Sequence, residues 1–334
     1  MATIGNEFLT LADWAKRQDP DMKQARIIEM LNQKNPILWD MPFLEANAPT
    51  HHRTTVRTSL PAASWRRINK GVSRGKSTTA QVDEPCAILE TYAEVDKELA
   101  DLNGNTGAFR LSEAQAFLEG MNQQMASTLF YGSKTTDPAS FDGFATRYSE
   151  LDAENGNNII DAGGTGDNLT SMYLIAWGND TVHGIYPKGS KAGLTHTDKG
   201  QQTLEDSDGN MYEGYRDHFQ WKTGLAVRDW RYVVRVANID VTKLLDEKTN
   251  GKFATDLVRL LIAASNKLPD ENGRMALYMN RTLTSFFDIQ SVEKPSLGLH
   301  AVKDTEGDKG VIVDFRGIPI RKTDAIVDGE TAVA

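Results

Sequence analysis

The forty residues from Asn47 to Cys86 hold almost nothing from which a core could be built: Thr, Ser, Arg, Gly and Ala dominate, and large apolar side chains are few. From Glu45 to Asp83 there is no acidic residue between the two, while Arg53, Arg57, Arg66, Arg67, Lys70, Arg74 and Lys76 supply seven positive charges. Thr54, Thr55, Val56 and Thr58 predict one strand and Ser77 to Val82 a second, with Pro61 and Gly71 to Gly75 breaking the stretch between them. A two-stranded excursion of this kind is marginal on its own in water. It needs another surface to lie on. A flexible loop is the alternative, but structureless loops of this length are uncommon in compact chains.

The chain as a whole carries a net charge of -9, so the residues outside the acid-free stretch between Glu45 and Asp83 hold -16. One segment is therefore polarised against its own protein. Such a patch can bind phosphate backbones by counterion release, or it can seek an acidic surface on a neighbouring copy of the chain. The acidity of the remainder favours the second, because a dedicated nucleic-acid module is usually basic overall.

With 334 residues, 40% of them hydrophobic, the chain can bury a sizeable core, and about two domains are expected. A single cysteine, Cys86, leaves no intramolecular disulfide. The start, MATIGNEFLTLADWAKRQ, lacks the basic and apolar blocks of a secretory signal, so cytoplasmic synthesis is expected. The apolar clusters at Leu174 to Trp177 and Leu257 to Ala264 are too short to span a bilayer, so no membrane association is expected.

Ahead of the basic segment, Asp19-Pro20 is a helix start, Ile27, Ile28 and Leu31 form one apolar face, and Asn35-Pro36 ends the pattern. An arm lying on another surface is the economical reading. After it, Ala87 to Val95 predicts a strand. Ser112 and Gln115 fit a capping box for a helix reaching Tyr131, with Phe117, Met121, Met125 and Leu129 as its apolar stripe. Gly120 inside that helix predicts close backbone packing or a bend. Ser171 to Trp177 predicts a buried strand, and Trp230 to Ala237 a strand of alternating faces. A helix over Thr255 to Asn266 and strands at Met275 to Met279 and Val311 to Ile320 follow. The class is α+β, with no internal repeat.

Several motifs imitate chemistry. Gly71-Val72-Ser73-Arg74-Gly75 matches the nucleophile-elbow pattern, but the elbow needs a buried strand before the serine and a helix after it. Gly75-Lys76-Ser77 misses phosphate-loop spacing, with Lys70 where a glycine is required. Asp206, Asp208 and Asn210 imitate a calcium loop with its glycine misplaced, and a polar turn explains them better. The six histidines show no metal-ligand spacing. No catalytic residue, cofactor or metal is assigned, and the chain is expected not to be an enzyme. A serine hydrolase around Ser73 and a nucleic-acid-binding protein using the basic 51–76 loop are the two alternatives.

The order of parts is a helical arm, a long basic loop, a strand, a spine helix and a larger α+β unit. It resembles the major capsid proteins of tailed bacteriophages, with their HK97-type fold. Local phrases carry the same likeness: Ala87-Ile88-Leu89-Glu90-Thr91-Tyr92-Ala93-Glu94-Val95-Asp96, Phe141-Asp142-Gly143-Phe144, Leu277-Tyr278-Met279-Asn280-Arg281-Thr282-Leu283 and Gly317-Ile318-Pro319-Ile320-Arg321-Lys322. They are similar to those of short-tailed phages. The resemblance implies an N-terminal arm over 1–46, an extended E-loop over 47–86, a peripheral domain with its spine helix over 87–140, a mainly axial domain over 141–310 and a return strand over 311–334. It implies hexamers and pentamers closing an icosahedral virion shell around double-stranded DNA, bound without sequence specificity, and assembly in the host bacterial cytoplasm. It also implies a separate scaffolding protein, a portal and a decoration protein as partners. The seven cations of the E-loop would then be inter-subunit contacts.

Overall fold

The computed structural model describes Leu9 and residues 33–102, 104–206, 208–244, 256–269, 273–293, 299–303 and 311–334. The helix expected on Asp19 to Leu31 lies outside the described residues. The chain enters through a short helix α1 (Ile37–Asp40) and strand β1 (Phe43–Glu45). The described part of the expected arm, residues 33–46, is anchored in this chain. β1 pairs in parallel with a core strand, and Ile37, Met41 and Ala46 are buried in this same chain.

The two expected strands of the basic segment form an antiparallel ribbon, β2 (His51–Ser59) with β3 (Thr78–Pro85), which among the described residues pairs only with itself. Strand β4 (Ala87–Asp96) leads through helix α2 (Lys97–Asp101) into the spine helix α3 (Thr106–Tyr131). At 26 residues the spine is about 39 Å long. It starts six residues before the expected capping box, so Ser112 is interior and caps nothing. The reason is tertiary. Phe109, on the added turn, packs against Val95, Leu99 and Ala100. The stripe itself is core, with Met121, Met125 and Leu129 buried and Phe117 half-buried.

Beyond the spine come α4 (Phe144–Arg147), β5 (Ile159–Asp161), β6 (Leu169–Trp177), β7 (Val182–Tyr186), β8 (Leu194–Glu205), β9 (Met211–Val227), β10 (Val233–Asp240) and α5 (Val241–Leu244). They are followed by α6 (Leu257–Ser265), β11 (Arg274–Met279), α7 (Arg281–Glu293), β12 (Leu299–Lys303), β13 (Val311–Phe315) and β14 (Ile318–Lys322). The main sheet runs β12-β13-β14-β11-β6-β7-β9-β4, with β10 on β6 and β8 on β9.

Every residue of β6 is buried because both faces of the sheet are covered. Tyr173, Ile175 and Trp177 pack with the spine residues Leu129 and Phe130 and with Phe144. Met172 and Leu174 face Leu257, Leu261 and Phe287 of α6 and α7. This is a layered α+β body. β9, at 17 residues, joins its halves, pairing with β7 at its C-terminal end and with β4 and β8 along the rest.

Two strand expectations are corrected. The chain at Trp230–Tyr232 is a turn of 3₁₀ helix, because the Asp229 side chain caps it by accepting from the Arg231 N–H, and β10 starts only at Val233. Nor do its faces alternate between core and solvent, since even Arg235 is buried. The single strand expected over Val311 to Ile320 is a hairpin. Arg316 and Gly317 have φ of 53° and 79°, as a two-residue primed turn requires.

Candidate functional site: a projecting basic ribbon

All residues from Arg57 to Asp83 are exposed. The ribbon is closed by Thr58, Ser59 and Thr78, whose hydroxyls bond at 2.8 and 2.6 Å. Past them, residues 60–77 form no strand or helix beyond a turn that Lys70 N–H closes on Arg67 O at 3.1 Å. Among the described residues no core lies beneath this segment. Trp65 and Ile68 stand in water at 103% and 86% exposure, so neither touches its own subunit appreciably.

The ribbon's root, in contrast, is firmly fixed. Glu84 is buried and receives both guanidinium ends of Arg147, each at 2.6 Å, and Arg147 also donates to the Leu225 carbonyl at 3.2 Å. Burial opposes the Arg147 charge, but the Glu84 carboxylate outweighs it and raises the guanidinium pKa. Asn47 brackets the first strand, donating to Arg53 O at 2.7 Å and accepting from Arg53 N–H at 2.8 Å. Cys86 N–H donates to Thr50 O at 2.9 Å. Gly224 lets β9 pass beneath, since a Cβ there would meet the Pro85 carbonyl at 2.3 Å.

The seven cations do not share one fate. Arg53 faces Asp83 across the ribbon, with two hydrogen bonds of 2.7 Å that hold the Asp83 carboxyl below its ordinary pKa. Its charge is met inside the ribbon. Arg57, Arg66, Arg67, Lys70, Arg74 and Lys76 have no ion-pair partner among the described residues, and all are exposed. The root pair Glu84–Arg147 has one sequence signal, namely that the acid-free stretch ends at Asp83 and Glu84; the partner, 63 residues away, has none.

The imitated motifs resolve locally. Ser73 sits in the irregular exposed segment, without the strand and helix that an elbow requires. Asp206 accepts from the Asp208 and Asn210 backbone N–H groups at 2.9 and 2.8 Å, making the polar turn that joins β8 to β9. Among the described residues no group of three His, Cys, Asp or Glu side chains could hold a metal ion, and no helix is long and apolar enough to cross a membrane. Burial pushes the Cys86 thiol up to about 11.

Comparison with known proteins agrees with this architecture. The model of the family Major capsid protein GP7 matches residues 19–334. A chain in the structure of bacteriophage epsilon15 is 32% identical, with a TM-score of 0.80, covering 100% of this chain and 99% of that one. The capsid of bacteriophage JBD30 is 9% identical at a TM-score of 0.48, covering 95% of this chain and 99% of that one. An encapsulin complex from Synechococcus elongatus is 12% identical at a TM-score of 0.45, covering 70% and 98%. No curated protein matches. With the family match spanning all but the first 18 residues and the epsilon15 likeness end to end, the chain belongs to the major capsid protein GP7 family and is an HK97-type subunit of a phage capsid shell.

Proposed function

We propose that copies of this chain assemble as hexamers and pentamers that close an icosahedral shell around double-stranded DNA. In this reading the ribbon is the E-loop, and Arg53, Arg57, Arg66, Arg67, Lys70, Arg74 and Lys76 form its contact surface on the adjacent subunit. One observation carries the reading: a 27-residue stretch, Arg57 to Asp83, is wholly exposed on a root that is itself locked in the core. A segment so ordered at its base and so bare above gains stability by lying on a second copy. The residues outside the acid-free stretch 46–82 hold -16 of charge, which complements the seven cations. A subunit of that net sign also keeps packaged DNA from adhering tightly to the shell. Residues 87–140 would be the peripheral domain and 141–310 mainly the axial one, with 311–334 returning beside β11. Scaffolding, portal and decoration proteins complete the assembly, and none of these roles calls for a catalytic residue in this chain.

Electron microscopy of the expressed protein, alone and with its phage's scaffold, tests the reading. Uniform round shells with six- and five-fold capsomers are expected. A protein that stays monomeric under both conditions, or that binds duplex DNA with a salt slope of several charges and never closes particles, would overturn it.

A further inference from the structure

Glu330 and Arg235 pair at 2.7 Å in the core, with side chains only 5% and 4% exposed. Around them the two groups gather hydrogen bonds from separate parts of the fold. The Glu330 carboxylate accepts from the Ser171 hydroxyl on β6 and, at 2.6 Å, from the hydroxyl of Tyr131, the last residue of the spine. Arg235, on β10, donates to Ser171 at 3.1 Å and to the carbonyls of Ala145 and Tyr148, in and just after α4, at 3.2 and 2.7 Å. The Glu330 N–H donates to the Leu169 carbonyl at 2.7 Å, and the Tyr131 hydroxyl accepts from the Val327 N–H at 3.1 Å. Burial, with the nearby Tyr173 and Glu330 groups, raises the Tyr131 pKa, so this hydroxyl keeps its proton and donates.

A buried ion pair is a poor way to gain stability, because apolar side chains of similar volume hold a core as well or better. What its hydrogen bonds add is direction. The spine's other contacts at this end, Met125, Leu129 and Phe130 with Tyr173 and Ile175, are apolar and non-directional. Its earlier turns rest on a different part of the sheet, Ala114 and Met121 packing with Ala93 of β4 and Phe219 of β9. The spine thus bridges two sheet regions, and a slip of about 1 Å at one end of a helix about 39 Å long turns it by about 1.5°. We propose that Glu330 and Arg235 are positioning residues which, through Tyr131, hold the spine at one angle to β6 and β10, and that this angle sets the curvature of the shell; this rests on the shell reading above. Every subunit of a closed ring repeats the same angle, so a small error in it is repeated at each contact.

The test is Tyr131→Phe, which frees the spine from the carboxylate and leaves the Glu330–Arg235 pair intact. Ile239→Val, in the core on the other face of the sheet, is the control for a merely weakened subunit. Electron microscopy of particles from the full chain reads the spread of shell diameters. Tyr131→Phe is expected to keep the parent's circular dichroism and to widen that spread at least twofold, while Ile239→Val keeps the parent's spread. Particles of Tyr131→Phe with the parent's spread, or equal widening by Ile239→Val, overturn the positioning role and leave the shell reading intact. Failure of the unsubstituted protein to form particles removes the shell reading, and the link to curvature with it. A second measurement covers a Tyr131→Phe variant that does not assemble. Spin labels at Leu111→Cys, near the spine's start, and Arg259→Cys, on α6, in a Cys86→Ser background report the distance between the two regions in the free subunit. Tyr131→Phe is expected to broaden that distance distribution at least twofold, and an unchanged width overturns the proposal.

Discussion

His183 shows how much one buried side chain can govern. Its ring is fully buried on β7, lies 5.9 Å edge-on from His52 at the ribbon root, and neither of its nitrogens has a well-formed hydrogen-bond partner among the described residues. Burial first, then the His52 ring, lowers its pKa from 6.5 to about 4. Between those two pH values the unfolded chain takes up a proton that the folded chain refuses. Stability therefore rises with pH across the window and is lost on acidification, by about 3 kcal/mol in total. The Asp180 carboxylate opposes the shift, while Arg228 adds to it. In urea unfolding at pH 7.5 and 4.5, His183→Leu should lose clearly less stability than the parent protein; equal losses would show that His183 is not the group responsible. Arg235 illustrates the limit of reading residues singly. It looks like the polar face of an alternating strand, yet it is buried and donates to Glu330 at 2.7 Å, to Ser171 at 3.1 Å and to the Tyr148 carbonyl at 2.7 Å. Glu330 also accepts from the Tyr131 hydroxyl at 2.6 Å, so the chain's last residues are tied to the end of the spine. Nothing local to either residue signals a partner 95 positions away. Glu330→Ala, which strands the guanidinium, should cost about 3–5 kcal/mol in chemical denaturation, and a loss under 1 kcal/mol would contradict the network.

Elements were legible where one force dominated. β6 stands out as a continuous apolar run because both of its faces are covered, and the ribbon stands out because it has so little to bury. Both follow from composition. The spine's stripe was equally clear, whereas its start was not, since Phe109 gains its place only after α2 and β4 are assembled beneath it. Likewise the Asp229 cap stops β10 from starting at Trp230, although the apolar period alone points to that residue. The ribbon's root belongs to this same class of non-local devices. Glu84 is contributed by β3 and Arg147 by α4, with both guanidinium ends engaged and both side chains largely out of water. Replacing Glu84 with glutamine leaves a buried cation facing a neutral amide. The expected cost is about 3 kcal/mol in global stability, together with faster amide exchange from Thr50 to Ser59, because the ribbon loses its buried anchor. Unchanged exchange there would mean that the Asn47 bracket and β1 hold the root without the ion pair.

For the whole molecule, the decisive feature is the division between a layered body with two covered sheet faces and a ribbon that the body holds only at one end. Long-range attraction can act between such parts because their charges are separated, seven positive within the acid-free stretch 46–82 against -16 in the rest of the chain. The charges are not equivalent, and this separates an assembly role from a folding role. Arg53 is engaged by Asp83 and stiffens the ribbon, whereas Arg66 and Arg67 have no ion-pair partner among the described residues and lie at the tip. Substituting Arg66 and Arg67 together by glutamate should lower particle yield at least tenfold at low salt while leaving circular dichroism and thermal unfolding of the free subunit unchanged. Arg53→Gln should instead loosen the ribbon and reduce yield only a few-fold. Raising salt from 0.05 to 0.5 M shortens the screening length from about 14 to about 4 Å. It should therefore narrow the gap between the parent protein and the Arg66/Arg67 variant. If the double glutamate variant forms normal shells at low salt, the ribbon is not held to its neighbour by these charges, and apolar contacts at the tip must carry the attachment alone.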